Sequence, residues 1–293
     1  MYFLVIFFTI SVDLDCLPRL CLFELDIGVF TLRSGRLDTV LAASESEQCE
    51  QMPAAAKFKS PLFKRDVIVV VGGFGSGKSE VSVNLARHLM ATDTRPVTLA
   101  DLDIVNPYFR SREAATALAA LGIRSIVPSG AYATADLPMI IPEIKSAIQQ
   151  PEGWLILDVG GDDAGATVLS SLSDAFTPDG YDLLFTLNAY RPFTSDLKGT
   201  TKIMGEIERA GSLKFTGLIS NSHLIEQTTT AEVLHGVDLT RQVSEKTGLP
   251  IFFVSAVGSV LDQLDARQIP YPVLAINRSL LKPWERSSPA GTN

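Results

Sequence analysis

One stretch of the chain has the composition to grip a polyphosphate. Gly72-Gly73-Phe74-Gly75-Ser76-Gly77-Lys78-Ser79 fits the spacing G-x-x-x-x-G-K-[ST] at every fixed position. Glycines let a backbone curl until its N–H groups converge on phosphate oxygens. The helix that opens after such a loop adds the positive end of its dipole. Lys78 then reaches the β- and γ-phosphates and the Ser79 hydroxyl is a ligand for Mg²⁺. Gly73 through Ser79, Phe74 and Ser76 included, form the expected phosphate-binding set.

Two acidic strand ends complete the pattern. Asp101 and Asp103 follow the apolar run Val97–Ala100, and Asp158 follows Trp154–Leu157. A carboxylate at the end of a buried strand is the expected Mg²⁺-side group, often acting through a metal-bound water. Asp158-Val159-Gly160-Gly161 reads D-x-x-G, in which Gly161 lets a backbone N–H approach the γ-phosphate and move when it leaves. Asp103 orients either the attacking water or a metal water, or else is a turn residue after its strand. Asp162 and Asp163 follow, and at least one of them reads as a cap or first-turn carboxylate of the next helix.

These residues need a parallel sheet to bring them to one edge, and the chain supplies its signature. Apolar strands at Asp66–Val71, Val97–Asp101, Ile123–Val127, Trp154–Val159, Asp182–Leu187, Leu213–Ser220 and Pro250–Ser255 alternate with helices. The helices are expected at Lys78–Met90, Ser111–Leu121, Pro142–Gln149, Ala164–Ala175 and Ser195–Ala210, with a further one ending near Gly248. Near-continuous apolar strands separated by helices predict an α/β three-layer sandwich with a mostly parallel sheet. Right-handed crossovers put every strand's carboxyl end on one edge, where ligands bind.

The combination resembles the SIMIBI class of P-loop NTPases, and more closely the CobQ/CobB/MinD/ParA nucleotide-binding family. The pieces that carry the likeness are GGFGSGKS, LADLDIVNPYFRSRE, LILDVGGDD and GLISNSH, spread over residues 66–260. The resemblance implies a Mg²⁺-dependent ATP-binding protein that hydrolyses ATP as a MinD/ParA-like switch, with Lys78, Asp103 and Asp158 catalytic and Ser79, Asp103 and Asp158 around the metal. It equally leaves open an ATP-dependent ligase or kinase of the CobQ or dethiobiotin-synthetase kind, and a nucleotide-binding scaffold without turnover. Its implied partners are a nucleotide and either a protein or a small-molecule acceptor; a homodimer is left open. Gly73 stands where MinD- and ParA-type members carry an early lysine, so the lysine that bridges their ATP-bound dimers has no counterpart here.

Base choice is read from Asn221-Ser222-His223-Leu224. Leu224 replaces the aspartate of the guanine-reading N-K-x-D, which favours ATP over GTP. Asn221 is either a purine contact or a strand-end turn residue. The loop Asn106–Arg112 is aromatic and basic; Arg110 and Arg112 either meet an anion or are surface charge at a helix start. Arg191, in Asn188–Phe193, is a weaker candidate of the same kind, and Pro128–Ala131 is another loop after a strand end. His88 and His235 read as packing or surface residues.

Composition excludes other classes. The 293 residues are 46% hydrophobic and 20% charged, a globular balance. The net charge is −8, and residues 66–293 hold 18 basic against 25 acidic residues, so the acidity belongs to the core and nucleic acid is not an expected partner. No window reaches the roughly 18 apolar residues of a membrane helix. The tail Ser279–Asn293, with Pro283 and Pro289, lacks an amphipathic membrane-docking length, so no membrane partner is expected. The three cysteines, Cys16, Cys21 and Cys49, all lie in the first fifty residues and make neither a disulfide scaffold nor an obvious zinc site.

The head opens with the apolar run Tyr2–Ile10 and no basic residue before it, which fits a secretory signal poorly; an extension from an early start, with Met52 as an alternative start, is the plainer reading. Ala43–Lys59 reads as a linker. The expected organisation is an extension at 1–59, a P-loop domain at 60–285 and a tail at 286–293, in the cytoplasm.

Overall fold

The computed structural model describes residues 59, 61, 63–103, 112–127, 133–161 and 163–278, without the side chains of 112–115 and 133–140. The extension expected at 1–59 lies outside them except for Lys59. The tail, the loops Asn106–Ser111 and Pro128–Ala131, and Asp162 lie outside them altogether.

Eight strands form one sheet, β1 (Val67–Gly72), β2 (Val97–Leu102), β3 (Ile123–Ile126), β4 (Trp154–Gly160), β5 (Tyr181–Leu187), β6 (Gly217–Ser220), β7 (Ile251–Val257) and β8 (Val273–Ile276). Their spatial order is β3-β2-β4-β1-β5-β6-β7-β8, and every pairing is parallel. β1, β4 and β5 are buried at every position, as central strands covered on both faces must be.

The helices divide between the two faces. α1 (Lys78–Thr92) and α2 (Arg112–Ala120) cover one. There Val81, Leu85, Leu89 and Leu118 pack on Ile68, Val70, Leu99, Ile156 and Leu184. On the other face lie α3 (Ala133–Gln149), α4 (Asp163–Leu172), α5 (Leu197–Gly211) and α6 (Thr230–Thr247). Ile144, Leu169, Ile207 and Val243 from these helices meet Val69, Leu157, Leu183 and Phe185. A short α7 (Gly258–Leu261) closes the β7–β8 end with Val260 and Leu261. This is a three-layer α/β sandwich, with a sheet that is parallel throughout.

The order of strands fixes where a ligand can sit. From β1 the chain passes over one face, through α1, to β2 and then β3. It returns through α3 to β4 on the opposite face and crosses by α4 to β5. β1 therefore lies between β4 and β5, whose chains leave to the face opposite its own, and such a reversal opens a crevice at the strands' carboxyl ends.

Three elements differ from the sequence expectation. α3 begins at Ala133 and runs through Pro138 and Pro142, whereas Pro142 was the expected start. A proline costs a helical hydrogen bond, but Ile144 and Ile148 anchor the following turns in the core. β6 begins at Gly217, not Leu213, and Leu213 and Phe215 reach the core from the preceding loop. β8 is an additional strand after Pro270 and Pro272, too short to show a period.

Candidate functional site

The loop between β1 and α1 is shaped by two glycines in the left-handed region, Gly75 at φ 73° and Gly77 at φ 81°, where a side chain would be strained. The Ser76 N–H donates to Gly73 O at 3.0 Å and closes the curl. A Cβ at Gly72 would stand 2.5 Å from Ser76 Oγ and 2.8 Å from the Thr186 carbonyl oxygen. Donors from other strands hold the loop's carbonyls from outside. Asn221 Nδ2 donates to Ser76 O at 2.7 Å and Arg191 Nε to Gly75 O at 2.6 Å. In a planar trans peptide the N–H points opposite to the carbonyl, so holding Ser76 O on Asn221 turns the Gly77 N–H the other way. The first-turn N–H groups of α1, Lys78 and Ser79 among them, lack intrahelical acceptors and extend this donor array.

Charge gathers where β1, β2 and β4 end. Lys78 Nζ lies 2.6 Å from Asp103 Oδ2, with both side chains almost wholly buried. The Asp103 N–H donates to Asp101 Oδ1 at 3.0 Å, which sets the turn after β2. Asp101 is in register with Asp158 across the β2–β4 pairing. Asp158 is fully buried, and neither of its carboxylate oxygens makes a hydrogen bond. Burial pushes its carboxyl up to about 6. The Lys78 charge and the nearby Ser79 and Ser82 hydroxyls pull the other way, although neither hydroxyl attains hydrogen-bonding geometry toward it. For Lys78, burial alone would lower the pKa, but Asp158, Asp103 and Asp101 together outweigh it and leave the ammonium above its ordinary value.

This oxygen-rich corner fits Mg²⁺. A buried carboxylate with unused lone pairs stands near the Ser79 hydroxyl, and both are hard-cation ligands. Among the described residues no three His, Cys, Asp or Glu side chains converge as a metal cage. A single carboxylate beside a hydroxyl suits an ion that takes few protein ligands and fills its shell with water and phosphate.

Gly161 is also held tightly. A Cβ there would collide with the Gly72 carbonyl and come within 2.8 Å of the Gly73 nitrogen. The residue after β4 thus rests backbone to backbone on the start of the phosphate loop. Asp163 lies in the first turn of α4, consistent with a dipole-complementing carboxylate.

Beyond the loop a cavity of about 830 Å³ opens over the ends of β5 to β8, lined among others by Gly77, Ser79, Arg191, Asn221, His223 and Arg278. Asn221 is committed on both sides, because its Oδ1 accepts from Ser255 Oγ at 2.8 Å while its amide holds Ser76. The structure therefore gives Asn221 the task of propping the loop, with a second amide N–H beyond the one on Ser76 and its side chain in the cavity lining. Burial, with the charges of Arg191 and Arg278, pushes His223 down to about 4, so the imidazole in the cavity wall is neutral at physiological pH. Arg278 pairs with Glu226 at 3.3 Å. The preceding Asn277 is clamped to α1 by reciprocal bonds with Asn84, at 2.9 and 3.1 Å.

The structure brings together Gly73, Phe74, Gly75, Ser76, Gly77, Lys78, Ser79, Asp103, Asp158, Gly161 and Asn221 on one sheet edge. Arg110 lies outside the described residues, as does the Arg112 side chain. His88 is half-buried in α1 and His235 packs on Tyr190 with ring centres 5.6 Å apart, both away from the loop's donors. Sequence reasoning missed Ser255, Arg278 and the neutral His223, whose neighbours come from distant segments. Their one local signal is position at or just beyond the carboxyl end of a strand.

No family model matches this chain, and no curated protein matches it. Solved structures with similar folds include chloroplast FtsY from Physcomitrella patens, at 15% identity and TM-score 0.47, covering 73% of this chain and 68% of that one. FtsY from Thermotoga maritima matches at 18% identity and TM-score 0.47, over 72% of this chain and 69% of that one. FlhF complexed with GTP/Mg(2+) matches at 15% identity and TM-score 0.43, over 73% and 74%. At these values the likeness assigns no activity to the site.

Proposed function

We propose that this chain binds a Mg²⁺–nucleoside triphosphate in the Gly73–Ser79 loop and hydrolyses it as a conformational switch, with ATP as the preferred nucleotide. The observation that carries this reading is the Lys78–Asp103–Asp158 constellation beside a glycine loop that opens a helix. Lys78 would exchange Asp103 for phosphate oxygens. Asp103, so released, would be placed to orient water. Asp158 and Ser79 would hold Mg²⁺, which when bound neutralises charge on the phosphates. In hydrolysis the water oxygen bonds to the γ-phosphorus as the bridge to the β-phosphate breaks, leaving nucleoside diphosphate and phosphate.

The preference for ATP is supported by Leu224, which offers no carboxylate where guanine readers carry one. GTP is the decisive competitor, because the base assignment rests on this one position. Gly161, seated on the loop, supports the switch reading, with a protein partner that reads the segment after β4 in the cytoplasm. An ATP-dependent ligase or kinase is the second reading, favoured by Arg191 at the cavity mouth, which suits an anionic acceptor. Among the described residues no helix is long and apolar enough to cross a membrane.

Equilibrium binding of ATP and GTP with Mg²⁺ to the full chain, beside Lys78→Ala, tests the proposal. ATP binding that GTP displaces poorly and that Lys78→Ala loses is expected. Tighter binding of GTP overturns the base assignment. Intact ATP after long incubation overturns the hydrolysis and leaves a binding scaffold.

A further inference from the structure

Arg191 lies in the segment between β5 and α5, at the crevice where β1 and β5 leave to opposite faces. Its Nε donates to Gly75 O at 2.6 Å. A Cβ at Gly75 would stand 2.7 Å from that same nitrogen, so the guanidinium lies flat against a glycine of the phosphate loop. Nη1 reaches the Tyr190 carbonyl at 3.4 Å, a long contact. A guanidinium carries five N–H donors in one plane. Among the described residues no acceptor engages Nη2, and no carboxylate lies within ion-pair distance of Arg191.

Two other half-buried arginines have carboxylate partners: Arg65 lies 2.5 Å from Asp182 and Arg95 lies 2.6 Å from Asp66. A half-buried cation without a counter-ion is costly to keep. Arg191 also lines the same cavity as Lys78 and Ser79. Its charge is felt there, since it helps to keep His223 neutral.

We propose that Arg191 is the second cation of the phosphate site, its outer N–H edge contacting the polyphosphate of the bound nucleotide. This rests on the nucleotide reading above and adds to it a group from the β5 side. Lys78 supplies a point charge from the head of α1, whereas Arg191 supplies a planar fork suited to two phosphate oxygens. The Gly75 contact fixes that fork before the ligand arrives.

The alternative is that Arg191 only props the loop. Arg191→Gln separates the two, because glutamine keeps an N–H donor for Gly75 O and removes the charge. Arg191→Lys keeps the charge and loses the fork. Binding of AMP, ADP and ATP with Mg²⁺ is measured for the full chain and both variants, with circular dichroism to confirm folding and Lys78→Ala as reference. The expected result is that Arg191→Gln weakens ATP about tenfold or more, ADP less, and AMP by less than about twofold, with Arg191→Lys recovering part of the loss. Wild-type affinities in Arg191→Gln overturn the proposal in favour of a prop. An equal loss for all three nucleotides overturns it in favour of a nucleoside contact. If the unmutated chain binds no better than Lys78→Ala, the nucleotide reading itself has failed, a result distinct from either.

Discussion

The two halves of the site are held together by different forces. At the ends of β1, β2 and β4, buried charges face one another, with the Lys78 ammonium against Asp103 and the orphaned Asp158 carboxylate behind it. At the ends of β5, β6 and β7 the same loop is propped by hydrogen bonds from Asn221, itself oriented by Ser255. The first half is costly to bury and, under the proposed function, rearranges when a triphosphate arrives. The second holds the loop by hydrogen bonds and keeps its shape. Reactivity and rigidity are thus assigned to opposite sides of one loop.

The largest effect expected is that of Lys78→Ala. It removes the proposed phosphate ligand, takes the ammonium from Asp103, and leaves Asp158 buried without the Lys78 charge. Nucleotide affinity should fall by about a hundredfold or more, and urea unfolding should show a loss of about 3–5 kcal/mol. Restored stability in Lys78→Ala/Asp103→Asn would tie the loss to the charge and not to packing.

Asn221→Ala attacks the other half. It strips the Ser76 carbonyl of a buried donor and the Ser255 hydroxyl of its acceptor. The expected cost is about 2–3 kcal/mol in urea unfolding. That cost should hardly change with salt, because no ion pair is broken.

His223 gives a pH signature. Its folded pKa of about 4 lies below the ordinary 6.5, so the unfolded chain binds the extra proton between those values. Stability should therefore fall as pH drops from about 6.5 to about 4, by on the order of 1–3 kcal/mol from this group. His223→Asn should flatten that part of the stability–pH curve, and an unchanged slope would place its origin elsewhere. Smallest of all, Phe193→Ser at a position 71% exposed should change stability by no more than about 0.5 kcal/mol.

The charged half was legible in the sequence because its parts are local. A loop of fixed spacing follows one apolar strand, and aspartates end two others, so period and position suffice. The layering of the sheet was legible for the same reason. The hydrogen-bonded half was not, because Asn221 and Ser76 are 145 residues apart and Arg191 and Gly75 are 116 apart. No local pattern reveals which carbonyl an asparagine will hold, so Asn221 read as either a purine contact or a turn residue and its hold on Ser76 went unseen. β8 escaped notice because four residues after two prolines carry too little periodicity, and the early turns of α3 because proline outranked the burial further along the same helix.

The contact between Gly161 and the start of the phosphate loop has a mechanical meaning. With no side chain between the two backbones there is no compressible layer to absorb a shift. On the proposed switch reading, a displacement of the segment after β4 would be handed to the loop with little loss, as in a gear with no backlash. Close-packed junctions of this kind move between discrete arrangements and do not deform by degrees. The signal of such a switch would accordingly be digital at its source.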